Sequence, residues 1–331
     1  MSKKGKKGKK GEDNDESTTQ IMRFYNRKIQ SLGVAQNKIF VQAVAQAIEN
    51  QEHLTTLHII EEIGPNAIRG IFEALMDLNY KHLANIWLVK AGLGLNNNEG
   101  VKYLANYIQK AQNTKVLDLT ENEITPQGCI SLGYALSPAF KVPIQELILD
   151  FNYIGCEGMK ELSKGLEMNT TIRKLSLNYC RLDLESVKYI QDILSFVDCD
   201  LRYLFLEGNF LRNQGVYQLF RALETNEWLE ELNIANNQFG ESEDVPLIEK
   251  ICEVLTKNNS IQVYDFRGNA LYDDSAKKFL ECIKMYKTVC RLEVPIEIQN
   301  AILEEIKKVT KKRKRRKNKK KKSKKKKKAK K

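Results

Sequence analysis

Residues 204–223 read LFLEGNFLRNQGVYQLFRAL, and two periodicities meet in them. Leu204 and Leu206 alternate with Phe205 and Glu207, the period of a short strand with one buried face. Gly215, Leu219 and Leu223 then lie four apart, on one face of a helix. Between the two sits Asn209, where the chain must turn inward. A strand–turn–helix unit this small cannot bury a core alone, so it must stack on copies of itself.

The copies are present. The strand pattern recurs as LDLTEN (117–122), LILDFN (147–152), LSLNYC (175–180) and LNIANN (232–237). Weaker forms are LHIIEE (57–62), IWLVKA (86–91) and YDFRGN (264–269), with a truncated LEV at 292–294. The first anchors are Leu57, Ile86, Leu117, Leu147, Leu175, Leu204, Leu232, Tyr264 and Leu292, spaced 28 to 32 residues apart. The Asn slot is filled by Asn122, Asn152, Asn209, Asn237 and Asn269, and by Cys180 in one copy. A short amide there can bond the backbone groups that an inward turn would leave buried. Glu62 and Ala91 occupy the slot in the first two copies, which should be less regular. The helix signature also recurs, as Gly128, Leu132, Leu136; Gly158, Leu162, Leu166; and Gly100, Leu104, Ile108. Ser186 and Ser275 replace the glycine in two others. Glycine suits close backbone approach or positive φ, and a helix-opening serine can cap. The expected fold class is α/β, a solenoid of about eight full 28–29-residue repeats plus caps.

Solenoid ends expose apolar faces and need covers. Phe40, Val44 and Ile48 repeat every four residues, as the helix of a partial repeat. Residues 20–36 should precede it as an irregular part of an N-terminal cap at 20–50, within a repeat domain over 20–294. PIEIQNAILEEIKKV (295–309), with Ile298, Ile302 and Ile306 on one face, reads as a terminal helix within a capping segment at 295–310. Residues 1–19 and 311–331 are too charged and too poor in apolar residues to fold alone, and are expected to be disordered tails.

The charge is divided sharply. Residues 311–331 hold 18 Lys or Arg among 21, and MSKKGKKGKK (1–10) holds 6 lysines. The remaining 30 basic residues face all 42 acidic ones, so residues 11–310 carry a net −12 although the whole chain is +12. The tract Lys311, Lys312, Arg313, Lys314, Arg315, Arg316, Lys317 is a candidate polyanion-binding segment. It fits an import signal, an unspecific nucleic-acid contact through counterion release, or a grip on an acidic polymer such as the glutamate-rich tails of tubulin. No aromatic residue lies between the lysines, so stacking on single-stranded bases is not expected.

No window is long and apolar enough to span a membrane, and no apolar stretch follows the N-terminal lysines as in a secretory signal. The seven cysteines form no C-x-x-C pair and read as reduced thiols. The three histidines, His53, His58 and His82, show no metal-ligand spacing. No nucleophile elbow, P-loop or dinucleotide fingerprint occurs; GLGLNNNEG (92–100) is the strand-to-helix loop of its repeat. The expectation is a protein without enzymatic activity, cofactor or small-molecule substrate.

Binding is the remaining class of function. Alternate strand residues face away from the core, and most are polar: Asp118, Thr120, Asp150, Ser176, Asn178, Glu207, Asn233, Asp265 and Arg267. Trp87, Val89, Ile148 and Phe205 are apolar residues in such slots. Tyr203 precedes on the same face, and Phe151 and Tyr179 follow in the adjoining turns. Large aromatics on a solvated face are the usual anchors of interfaces. The candidate partner-binding residues are therefore Trp87, Ile148, Asp150, Phe151, Tyr179, Tyr203, Phe205, Glu207 and Arg267.

Through LDLTENEI (117–124), LILDFNYIGCEGMKELSKGL (147–166), LFLEGNFLRNQGVYQLFRAL and LNIANNQF (232–239), residues 37–294 resemble the ribonuclease-inhibitor-like leucine-rich-repeat superfamily. The resemblance implies a horseshoe with strands on the concave side and a protein partner against them. Three branches suggest three roles. Ran GTPase-activating proteins share the repeat but typically end in an acidic tail, opposite to this one. Ribonuclease inhibitor is richer in cysteine and longer in repeats. Small axonemal leucine-rich-repeat proteins, such as the leucine-rich subunit of the nexin–dynein regulatory complex, are closest in style through their lysine-rich termini. That branch implies a cytoplasmic scaffold on the cytoskeleton or ciliary axoneme, bound to tubulin or an axonemal complex. A nuclear or nucleolar RNA-binding protein and a Ran-type activator are the alternatives.

Overall fold

The computed structural model describes residues 12–241, 246–311 and 313, with side chains from Thr18 onward. Among the described residues, nine parallel strands form one open sheet in strict chain order. They are β1 (Thr56–Ile59), β2 (Asn85–Leu88), β3 (Val116–Asp118), β4 (Glu146–Ile148), β5 (Lys174–Ser176), β6 (Tyr203–Phe205), β7 (Glu231–Asn233), β8 (Val263–Asp265) and β9 (Arg291–Glu293). The nine anchors named above, from Leu57 to Leu292, are register partners in an unbroken row. The sequence spacing is thus the register of the sheet.

Helices return the chain on one side: α2 (Lys38–Glu49), α3 (Gly64–Asp77), α4 (Leu95–Ala111), α5 (Pro126–Leu136), α6 (Gly155–Leu166), α7 (Val187–Ser195), α8 (Arg212–Leu223), α9 (Leu247–Lys257) and α10 (Asp273–Met285). Helices about 10 Å across cannot stack at the ~4.8 Å spacing of strands. The sheet therefore curves with its strands on the concave side. Between the layers lies a continuous apolar core, in which the strand leucines and the helix positions Leu104, Leu132, Leu162 and Leu219 are fully buried. Gly100, Gly128 and Gly158 serve close approach rather than positive φ: a Cβ on Gly100 would lie 2.9 Å from Leu93 Cα.

The asparagine slots form the expected ladder. Asn152 accepts from the N–H groups of Asn122 and Ile124 and donates to Leu119 O and Leu149 O. Asn122, one strand before, and Asn209, two strands after, repeat the arrangement. Cys180 is the odd rung. Its thiol donates to Leu149 O at 3.1 Å, and burial pushes it above the usual thiol range. A thiol is a weak donor and a weak acceptor. Cys180→Asn should therefore stabilise the fold by about 1 kcal/mol, read as a rise in the urea midpoint. A fall would show that the turn cannot seat the larger amide.

Both ends depart from expectation. The stretch 20–36 is not irregular: most of it lies in α1 (Glu12–Leu32), which already begins within the expected N-terminal tail. Ile21, Tyr25 and Ile29 form a buried stripe four residues apart, and α1 packs on α2 and α3. Tyr25 Oη also accepts from Asn37 N–H, and the Asn37 side chain caps α2 through Phe40 N–H. At the other end, the helix α11 starts only at 300 and runs to 311, after a turn through 296–298. Ile298, Ile302 and Ile306 are buried.

The loop 92–100 is also less ordinary than its place suggests. Asn96, Asn97 and Asn98 are all left-handed, a conformation that Asn tolerates better than most residues. Asn98 then bonds Thr125 Oγ1 and Thr125 N–H in the next repeat.

Candidate protein-binding face

Alternation along each strand places two rows of side chains on the concave side, and parallel register aligns them across strands. Trp87, Asp118, Ile148, Ser176, Phe205, Asn233 and Asp265 are successive register partners. Ser176 and Asp265, read as outward-facing, are nevertheless buried. Asp265 lies under Arg267, whose Nε reaches its Oδ1 at 2.9 Å. That ion pair raises the guanidinium pKa.

The middle of the face gathers most of the candidate residues. Phe151 and Tyr179 are 47% and 40% exposed, and their rings stack at 4.6 Å and 5°. Both precede the asparagine slot with φ of 57° and 54°, which swings the side chains along the rim. Beyond them Gly208 takes the same left-handed position, and a Cβ there would meet the Tyr179 ring at 2.2 Å. Tyr179 Oη donates to Glu207 Oε1 at 3.2 Å. Partial burial, and then the Glu207 carboxylate, raise the phenol pKa. Asn178 joins the two turns: its Nδ2 donates to the Asp150 carboxylate at 3.0 Å, and its Oδ1 accepts from the Glu207 backbone N–H at 2.7 Å. Phe205 is half-buried beneath Lys174 Nζ, 5.8 Å from the ring centre, and Tyr203 is exposed beside it. Thus Ile148, Asp150, Phe151, Tyr179, Tyr203, Phe205 and Glu207 share one patch on β4–β6 and its rim.

Trp87 and Arg267 lie at the flanks, on β2 and just past β8. The Trp87 ring meets His58 edge-on at 5.4 Å. His53 and His82 stack at 3.6 Å, and burial followed by His53 lowers the His82 pKa. Among the described residues, no three His, Cys, Asp or Glu side chains converge as a metal site, and no helix is long and apolar enough to cross a membrane.

Sequence reasoning missed the position just after the asparagine slot. Tyr153 there lies under the Arg181 guanidinium at 4.2 Å, and Phe210 is 42% exposed, so the aromatic patch extends along the rim. The shared offset from the slot was the signal. The basic tract needs a correction as well. Arg313 is part of the fold: it donates to Val289 O at 2.8 Å and to Ile283 O. The last carbonyls of α10 lack helical partners, and a guanidinium satisfies them. Lys311 is exposed on α11. Lys312, Lys314, Arg315, Arg316 and Lys317 lie outside the described residues.

The strand–turn–helix repeat, the in-register sheet and the amide ladder define a leucine-rich-repeat solenoid. The Leucine Rich repeat family model matches residues 113–133 and 225–242. The mouse ribonuclease inhibitor is 30% identical over 157 residues, covering 47% of this chain and 33% of that protein. Human NACHT, LRR and PYD domains-containing protein 13 is 27% identical over 181 residues, 54% of this chain and 17% of that protein. Mouse NACHT, LRR and PYD domains-containing protein 14 is 22% identical over 297 residues, 81% of this chain and 29% of that protein. The chain spans a third or less of the length of these relatives. Its repeats are similar to those of the ribonuclease-inhibitor-like leucine-rich-repeat superfamily, and leucine-rich-repeat proteins act in general as protein-interaction scaffolds.

Proposed function

We propose that the chain is a non-enzymatic scaffold that holds a protein partner on its concave face and tethers it to a polyanionic surface through its lysine-rich ends. The exposed rings of Phe151, Tyr179 and Tyr203 around half-buried Phe205 carry the reading. Rigid rings beside fixed polar groups are what interface hot spots use. The tether follows from charge: 18 basic residues among the 21 of 311–331 attract any dense polyanion without reading its sequence. The acidic microtubule lattice of an axoneme is the surface we favour, and the nucleus or nucleolus is the alternative location.

Two variants separate the parts. Phe205→Ala/Tyr179→Ala should weaken the partner co-purified from ciliated cells by about 30-fold or more, while leaving microtubule co-sedimentation unchanged. Deleting 314–331 should abolish co-sedimentation at low salt and spare the partner. If that deletion instead moves a tagged chain out of the nucleus and leaves sedimentation intact, the axonemal reading falls.

A further inference from the structure

The concave strip over β3–β6 holds three carboxylates whose described hydrogen-bond donors are all neutral. Asp118 accepts from Thr120 N–H and Oγ1, and Asp150 from Asn178 N–H and Nδ2. Glu207 accepts from Tyr179 Oη, Asn233 Nδ2 and Asn236 Nδ2. Neutral donors fix a carboxylate without cancelling its charge. Nearby cations are committed elsewhere: Lys90 to Glu121, Lys174 to Glu146, and Arg267 to Asp265. Arg267 is close enough for Glu207 to raise its pKa, but its guanidinium bonds Asp265. Beside the carboxylates lie the Phe205 ring, over which Lys174 Nζ already sits, and the exposed Tyr203 ring; ring faces attract cations. Lysine stems suit the rings and ammonium heads suit the carboxylates.

The chain carries a segment of that chemistry. Residues 314–331 include 15 Lys or Arg among 18. They follow Arg313, which is fastened beside the last repeat. From β9 to β3, the far end of the strip, is six strand steps, about 29 Å at ~4.8 Å each. Eighteen extended residues reach up to about 60 Å. A tethered segment meets its site at an effective concentration near the millimolar range, ahead of any free peptide of like charge.

We propose that residues 314–331 fold back and occupy the strip Asp118–Asp150–Glu207 of their own solenoid, so that a partner for the face and a polyanion for the tail each compete with this internal contact. The proposal rests on the reading of the concave face as a binding surface and supplies its regulation.

Carbodiimide coupling of the full chain at low salt tests it, because the reagent joins a lysine amine to a carboxylate in direct contact. Peptide mass spectrometry should find lysines of 314–331 bonded to Asp118, Asp150 and Glu207 within one molecule. The yield should be unchanged by about tenfold dilution, should collapse near ~0.5 M salt, and should be lost at positions 150 and 207 in Asp150→Asn/Glu207→Gln. Each change turns one accepting oxygen into a donor that faces a neighbouring amide, so the urea midpoint should fall modestly while the circular dichroism stays that of the folded chain. A yield that falls on dilution means bridging between copies and overturns the proposal. So does coupling spread evenly onto helix-side acids such as Glu157 and Asp274, or no coupling at all. None of these outcomes touches the effect of Phe205→Ala/Tyr179→Ala on partner binding, so the scaffold reading stands or falls separately.

Discussion

Replacing Asn152 by alanine should cost the fold about 4 kcal/mol, one of the largest losses expected from a single side chain here. The side chain is fully buried and makes only backbone contacts. Its carbonyl accepts from Asn122 N–H at 3.1 Å and Ile124 N–H at 2.9 Å. Its amide donates to Leu119 O at 2.9 Å and Leu149 O at 2.8 Å. Alanine would leave three buried backbone groups without this partner and Leu149 O with only the weak Cys180 thiol, each unmet group worth about 1–3 kcal/mol, with relaxation recovering part. Asn237 supplies the internal comparison. It donates to Leu206 O and Ala235 O, but its own Oδ1 is buried without a partner. Asn237→Ala should therefore cost about half as much. Urea unfolding of both variants decides the matter. Equal losses would mean that the ladder's acceptor side contributes nothing.

The ladder was legible in the sequence because its cause is local. An asparagine at fixed distance from a period-two strand has one job wherever it recurs, and the anchors set the register for the same reason. What escaped depended on contacts between distant elements. Ile21, Tyr25 and Ile29 are spaced for a helix, but the charged residues before them masked that pattern, and only packing on α3 gives the stripe a purpose. The outward residues of the candidate site were readable from alternation. That Phe151 and Tyr179 would stack was not, since it follows from a left-handed backbone at the residue before each slot. Arg313 looked like the rest of a basic run, and only the chain fold brings carbonyls from α10 and the β9 approach to it.

Glycine shows the same division, and it yields the second large effect. The four-residue signature drew attention to helix-opening glycines such as Gly215, yet the tightest helix contact lies elsewhere, between α5 and α6. A Cβ on Gly165 would lie 2.1 Å from Gly133 O, and one on Gly133 would lie 2.2 Å from Glu161 O. Each helix thus presents a bare Cα to a carbonyl of the other, an approach that allows weak C–H···O contacts and no methyl group. In Gly165→Ala the obstacle is backbone, which cannot rotate aside. Helix α5 would have to move away, and it is tied through short loops to β3 and β4, whose register is fixed. Alanine gains about 1 kcal/mol in helix propensity, but overpacking of this severity costs 3 kcal/mol or more. A net loss of about 2–3 kcal/mol is expected. Gly215 faces side chains of Val187 and Leu211 at 3.3 and 3.4 Å and the Leu184 Cα at 3.5 Å, distances that small shifts accommodate. Gly215→Ala should accordingly be neutral or stabilising by up to about 1 kcal/mol. Thermal or urea unfolding of the pair tests the sign. If both variants lose stability alike, the glycines are held by something other than the separation of neighbouring helices.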